Sequence, residues 1–223
     1  MWSNTQVIPQ SERVKIVTEH PSRKLPTEKR ARLYQVASHE FATHGFSQAS
    51  LNRIIASVGM SKSSFYHYYA NKNDLFRQTL EQTLAPVLAA WDGFDPGRLD
   101  AATFWPSIQQ LAQQMAQTAI RSPDLVVVGR MFYRSRNNPD EAGLTQEITA
   151  ASAGWLGELI GRGQVLGLIR NDLPDGFVIE TVMALGMSID RWMLAHWEEL
   201  TDQQRLTLSG KAFDLFLRVL QPA

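Results

Sequence analysis

The sequence predicts an all-α protein, with an N-terminal three-helix domain that carries a helix-turn-helix and a larger helical domain behind it. Three observations lead there. Apolar residues recur three and four apart along most of the chain, which is the period of a helix face. The β-like run Leu125-Val126-Val127-Val128 is short and stands alone. Glycines and capping hydroxyls fall where the apolar stripes end, as helix stops and starts do.

Residues 1–25 are polar, carry Pro9 and Pro21, and lack a clean period. They are predicted to form a flexible basic arm, with a short helix around Ser11–Thr18. Arg23, Lys24, Lys29, Arg30 and Arg32 cluster at its end and beyond, where they can meet phosphates or lie solvated. The domain after the arm is predicted to span residues 26–72. Its first helix runs from Thr27, a possible cap, to His44, with Leu33, Val36, Ala37 and Phe41 on one face and Gly45 as the stop.

The second helix opens at Ser50 and shows Leu51, Ile54, Ile55 and Val58 on one face. Gly59 ends it, because glycine accepts the left-handed angle of a helix C-terminus. Ser61 can cap the third helix by accepting an orphan backbone N–H. That helix is apolar on one side through Phe65 and Tyr69, four apart. Its other residues, Lys62, Ser63, Ser64, Tyr66, His67 and Tyr68, are donors and aromatics. A short polar helix with an apolar back, set after a glycine turn, is the layout of a DNA-reading helix-turn-helix.

Those residues carry a family resemblance. The segment from about Lys29 to Phe76 resembles the DNA-binding domain of TetR-type transcriptional regulators. The matching positions are Gly45-Phe46, Ser50, Ile54, Gly59-Met60-Ser61-Lys62, Tyr66, Tyr68-Tyr69, Lys72 and Leu75. Departures are Ser63 in place of the usual glycine, Tyr69 for phenylalanine, Ala49 for threonine, and Ile55 and Val58 for alanines. The resemblance implies DNA contacts by Ser50, Ser61, Lys62, Ser63, Ser64, Tyr66, His67, Tyr68 and Lys72. Tyr66, Tyr68 and Lys72 would touch the DNA backbone. Lys62 would face base edges, where an ammonium donates to guanine acceptors.

Residues 73–223 are predicted to form the second domain, for which the resemblance implies ligand binding and dimerisation. Its first helix begins near Asn71 or Asn73 and runs through Leu75, Leu80, Leu84 and Leu88, with Pro86 expected to bend it. A loop follows over Asp92–Leu99. Further helices are predicted at Ala101–Ile120, Pro123–Arg134, Glu141–Leu166, Gly176–Trp197 and Thr201–Leu220. Val178, Val182, Leu185, Ile189 and Trp192 form a stripe on the penultimate helix. Leu206, Phe213, Leu217 and Leu220 continue a similar stripe on the last. Such stripes suit either a monomer core or a four-helix interface about a twofold axis, and the resemblance favours a homodimer. Trp105, Met115, Phe132, Tyr133, Trp155, Met183 and Met187 either pack as core or line a pocket for a small apolar or amphipathic effector.

Composition bounds the chemistry. The chain has 223 residues and no cysteine, so it offers no disulfide and no thiolate site. Its formal net charge is zero, yet residues 1–80 hold 11 Lys+Arg against 5 Asp+Glu, and residues 81–223 hold 11 against 17. Positive charge therefore gathers where the helix-turn-helix lies, and phosphate attraction with it. No secretory signal pattern or long apolar run appears, so a cytoplasmic, non-membrane protein is expected. No phosphate-cradling glycine loop or nucleophile elbow is present, and no cofactor is expected. Glu40 and His44 share a helix face, but no second such pair completes a carboxylate-bridged metal site.

The function expected is sequence-specific DNA binding by a dimer on a double-stranded, near-palindromic operator. Ligand-responsive repression comes first by resemblance, with activation on the same fold as the alternative. A protein-binding helical adaptor and a metal-dependent helical enzyme are the rivals from other classes.

Overall fold

The computed structural model describes residues 20–135 and 142–222. The short helix expected at Ser11–Thr18 lies outside them, as does most of the arm. Nine α-helices are found among the described residues: α1 Thr27–Gln48, α2 Leu51–Ser57, α3 Lys62–Tyr68, α4 Lys72–Asp92, α5 Phe104–Arg121, α6 Pro123–Ser135, α7 Ala142–Val165, α8 Asp175–Ala195 and α9 Asp202–Leu220. Short 3-10 turns at Pro21–Lys24, Pro96–Arg98 and Trp197–Glu199 complete the described elements.

Most helix ends follow their sequence signals. The Ser50 and Ser61 hydroxyls accept from the backbone N–H of Arg53 and Ser64, capping α2 and α3. Asn71 Oδ1 accepts from the Asp74 N–H, 2.9 Å away, at the start of α4. Thr201 and Gln204 form a reciprocal capping box on α9. Gly59 takes φ +59° between α2 and α3. One expectation changes: Thr27 is the first helical residue and does not cap, since Pro26 precedes α1 without a side-chain bond. The regular turns of α1 break at Gly45 as expected, at φ 73° and ψ 165°, and a short helical stretch follows to Gln48. α4 runs through Pro86 to Asp92. The β-like valine run lies inside α6, where Val126 and Val128 are buried.

The chain forms two compact units, one from residues 15–86 with 123–146, the other from 87–122 with 147–223. The predicted division after residue 72 therefore falls inside the first unit. The reason is apolar: Leu75, Phe76 and Leu80 of α4 are buried. The Phe76 ring stands edge-on to Phe41 (5.1 Å) and to Phe46 (5.4 Å). α6 joins the same unit by packing along α1. Burying each such Phe or Leu contributes roughly 1.5–3 kcal/mol, so α4 is bound to the helix-turn-helix by its own first turns.

The second unit is built on α5, α7, α8 and α9. Phe104, Leu156, Leu159, Ile160, Ile169, Val178, Val182 and Leu220 form its core. Gly163 lets α7 pass close: a Cβ there would stand 2.6 Å from Ile169 and 2.7 Å from Phe104.

Candidate nucleic-acid interface

α3 is seven residues long, too short to be stable alone. It is seated by Phe65 and Tyr69, both fully buried, with stacked rings 5.2 Å apart. Ile54 and Ile55 of α2 are buried as well. The opposite side of α3 presents Lys62, Ser63, Tyr66 and His67 to solvent, with Ser64 and Tyr68 half-buried beside them. Tyr66 is 58% exposed, which is unusual for a large aromatic. Ser61 is exposed but occupied: its hydroxyl takes the Ser64 N–H at 3.1 Å and pairs with the Ser63 hydroxyl at 3.1 Å.

Ser50 sits at the start of α2, half-buried, and its N–H donates to Glu40 Oε1 at 2.9 Å. Glu40 is a buried carboxylate. His44 and Arg53 approach its other oxygen at 3.8 and 3.6 Å. Glu40 and His44, weighed in the sequence as metal ligands, thus serve the α1–α2 joint. No group of three or more His, Cys, Asp or Glu side chains that could hold a metal ion is found among the described residues.

Lys72, for which the resemblance implies a backbone phosphate contact, has its ammonium engaged within the fold. Nζ donates to the carbonyls of Phe46 (2.6 Å), Ser47 (3.2 Å) and Ala49 (3.1 Å). It also lies 4.6 Å from the centre of the Phe46 ring. An ammonium has three protons, and three carbonyls take them, so Lys72 closes the corner between α1 and α2.

Several residues of this region make contacts that the sequence did not assign to them. Arg53 of α2 is exposed and reaches His44 Nε2 at 3.1 Å. Lys29 Nζ points to the Gly59 carbonyl, 3.5 Å away. His20 belongs to the predicted arm, yet it is fixed: Nε2 lies 3.0 Å from Asp74, and Nδ1 accepts from the Ser22 N–H at 3.1 Å. Ser22 and Leu25 are buried, so the end of the arm is part of the folded unit. The Tyr69 phenol is held well above its usual range, chiefly by burial and then by the neighbouring Tyr34.

The predicted pocket residues are shared between the two units. Phe132 and Tyr133 belong to α6 in the first unit, and the other five belong to the second. Trp105 and Met183 pack against the apolar core. Trp155 stacks on Trp91 with centroids 6.0 Å apart, and the Trp91 indole N–H donates to Met115 Sδ at 3.3 Å. The Trp155 indole N–H is buried without an acceptor among the described residues. A cavity of about 430 Å³ lies in the first unit, with Arg32, Val36, Arg53 and Val127 in its wall; none of the seven predicted residues lines it.

The predicted interface stripes also divide. Val178, Val182, Phe213 and Leu220 are buried within the subunit and leave no surface for a partner. Leu185, Ile189 and Leu217 are half-buried. Trp192 is 48% exposed, its ring stacked on His196. Leu206 of the α9 stripe is exposed too, as are Phe177 of α8 and Leu215 of α9, which lie off the stripes. No helix of the described residues is long and apolar enough to cross a membrane.

Comparison with known proteins agrees with this geometry. Residues 33–79 match the family of bacterial regulatory proteins, tetR family. The HTH-type transcriptional repressor SCO4008 of Streptomyces coelicolor is 39% identical over 59 residues, which are 26% of this chain and 31% of that protein. The chain thus spans about a third of the curated relatives it matches. The fold extends further. A TetR family transcriptional regulator from Chloroflexus aurantiacus superposes with TM-score 0.60 at 23% identity, over 89% of this chain and 96% of that one. The transcriptional regulator FadR from Bacillus subtilis, solved with stearoyl-CoA, superposes with TM-score 0.68 at 14% identity, over 84% and 97%. The motif residues on α2–α4 and the matched segment thus identify residues 33–79 as a DNA-binding segment of the tetR family of bacterial regulatory proteins, while the likeness of the whole chain to these solved structures is one of fold.

Proposed function

We propose that the chain is a sequence-specific DNA-binding transcriptional regulator, working in the cytoplasm as a homodimer on a near-palindromic operator, and a repressor rather than an enzyme. One observation carries the reading: α3 turns Lys62, Ser63, Tyr66 and His67 outward on a fully buried Phe65–Tyr69 seat. Such a helix enters a major groove with its N-terminal residues nearest the bases. Lys62 is the base reader, while Tyr66, Tyr68, Ser50 and Arg53 hold phosphates. Positive charge in the N-terminal part of the chain supplies the attraction that brings DNA to this face.

Dimerisation is assigned to α8 and α9 through Trp192, Leu185, Ile189 and Leu217, with Phe177, Leu206 and Leu215 added. Exposed apolar side chains on two neighbouring helices are suited to a self-complementary contact. The effector is a small apolar or amphipathic molecule held among Trp155, Trp91 and Met115. The buried Trp155 indole N–H, which has no acceptor among the described residues, is the polar handle that would select it. The solved FadR carries stearoyl-CoA, a molecule of that character. A ligand acts here only by preferring one arrangement of the dimer over the one that fits DNA.

Selection of bound duplexes from a random pool tests the reading. The expected outcome is a near-palindrome whose half-sites lie about one helical turn apart. Recovery of no common sequence would refute it.

A further inference from the structure

We infer that Arg134 is a positioning residue for DNA recognition: from α6, it holds the bend at Gly45 through which α1 passes the chain to α2 and α3. The inference rests on the DNA-reading role proposed for α3. It adds a residue distant in sequence from that motif.

The geometry is specific. Gly45 leaves helical angles, at φ 73° and ψ 165°, so carbonyls near the bend lose their regular donors. Arg134 Nη1 donates to the carbonyls of Ala42 (3.1 Å) and Thr43 (2.9 Å), just before the bend. The guanidinium lies directly over Gly45: a Cβ there would stand 3.0 Å from Nε. Glycine is thus required for its left-handed angle, and a Cβ there would also crowd the guanidinium. Beyond the bend, Lys72 takes the carbonyls of Phe46, Ser47 and Ala49. Glu40 then fixes the N–H of Ser50, where α2 begins. Two cations and one carboxylate therefore define the joint, and only Arg134 comes from outside the α1–α4 segment.

This matters for α3 because α2 and α3 have seven residues each. Helices of that length do not hold an orientation by themselves. Their direction comes from packing and from the joint that precedes them. Loss of the Arg134 bonds frees the last turns of α1, and the angle at which Lys62 meets a groove spreads. Base reading is sensitive to that angle, whereas phosphate attraction is not. Lysine is an incomplete substitute for arginine here, since a point charge cannot lie flat over Gly45.

The test uses the full chain and the duplex that the wild type selects from a random pool, beside a scrambled duplex, across a salt series. Arg134→Ala is expected to weaken the selected duplex about tenfold, the scale of hydrogen bonds from a charged donor. Binding to the scrambled duplex should stay within about twofold, and the salt slope should not change because no phosphate contact is lost. Arg134→Lys should recover part of the loss. Gly45→Ala, which keeps every charge, should reproduce it. Without DNA, hydrogen exchange at residues 43–50 should accelerate about tenfold in Arg134→Ala, with α8 and α9 unchanged.

Unaltered affinity and exchange in Arg134→Ala would overturn the inference. So would equal losses on both duplexes with a salt slope smaller by about 0.9, the mark of a phosphate contact. Should Arg134→Ala fail to fold, Gly45→Ala and Arg134→Lys decide: wild-type discrimination between the duplexes in both would overturn it. If the wild type selects no sequence, the DNA-reading role itself falls and takes this inference with it. If the wild type selects and the variants match it, the role stands and only the inference falls.

Discussion

The two units of this protein hold their helices by different means. In the first, the seven-residue helices α2 and α3 are kept in place by a small aromatic core and by polar locks on backbone groups. Lys72, Arg134 and Glu40 supply those locks. In the second, long helices are held by apolar contact around Phe104, Ile160 and Val178. Short helices bring a small polar face to a precise place but cannot stabilise it, so side chains from neighbouring helices must. Long helices bury more area each, so in the second unit the backbone locks, such as Arg162 on the Leu99 carbonyl and Gln164 on the Arg170 carbonyl, add to an apolar core that already fixes the helices. The contrast predicts where each unit breaks.

The largest effect is expected for Phe65→Ala. It removes the seat of α3, and truncation of a buried phenylalanine costs about 3–5 kcal/mol. Thermal unfolding followed by hydrogen exchange should show α2 and α3 opening while α8 and α9 stay protected. Next is Gly163→Ala in the second unit, where a methyl group must displace Ile169 and Phe104; a loss of about 1–3 kcal/mol is expected by denaturant titration. Comparable losses of α2–α3 protection in both variants would remove the contrast between the units.

Lys72→Ala and Lys62→Ala separate holding from reading. Lys72→Ala should lower stability by about 1.5–3 kcal/mol, since three carbonyls lose a charged donor. Lys62→Ala should leave stability within about 0.5 kcal/mol, yet weaken binding to the selected duplex by about 1–3 kcal/mol. Equal melting temperatures for the two variants would dissolve that distinction.

The smallest effects concern buried polar groups. Tyr69→Phe removes a buried hydroxyl that lies beside Tyr34 and Ser22 without a well-formed hydrogen bond among the described residues; stability within about 1 kcal/mol of wild type is expected. Burial pushes the Glu81 carboxyl above its usual value of 4.5, against the pull of Arg77 and Gln78. The folded state therefore holds this proton more tightly than the unfolded chain does. Wild-type stability relative to Glu81→Gln should fall as pH rises from about 4.5 through the raised value, then level off. A difference that grows with pH over that window would contradict the assignment.

What the sequence made legible follows the same division. Gly59, Ser50, Ser61 and the Phe65–Tyr69 spacing are local signals, and each reappears in the structure at its expected place. The joint at Gly45 was only half legible. The glycine announced a break, but Arg134, 92 residues from Ala42, reaches it through tertiary packing that no local pattern encodes. Lys72 was visible as a conspicuous cation, while its carbonyl partners were not. In the second unit, the stripes on α8 and α9 marked apolar faces without saying which face meets the subunit's own core. Val178 and Phe213 point inward and Trp192 outward, a choice set by the placement of α5 and α7.

The most direct measurement is hydrogen exchange of the full chain with and without the duplex it selects. New protection at Ser61–Tyr68 and at the start of α2, with α8 and α9 unchanged, is the predicted footprint. Protection confined to other helices, with α3 exchanging as in the free protein, would contradict the account.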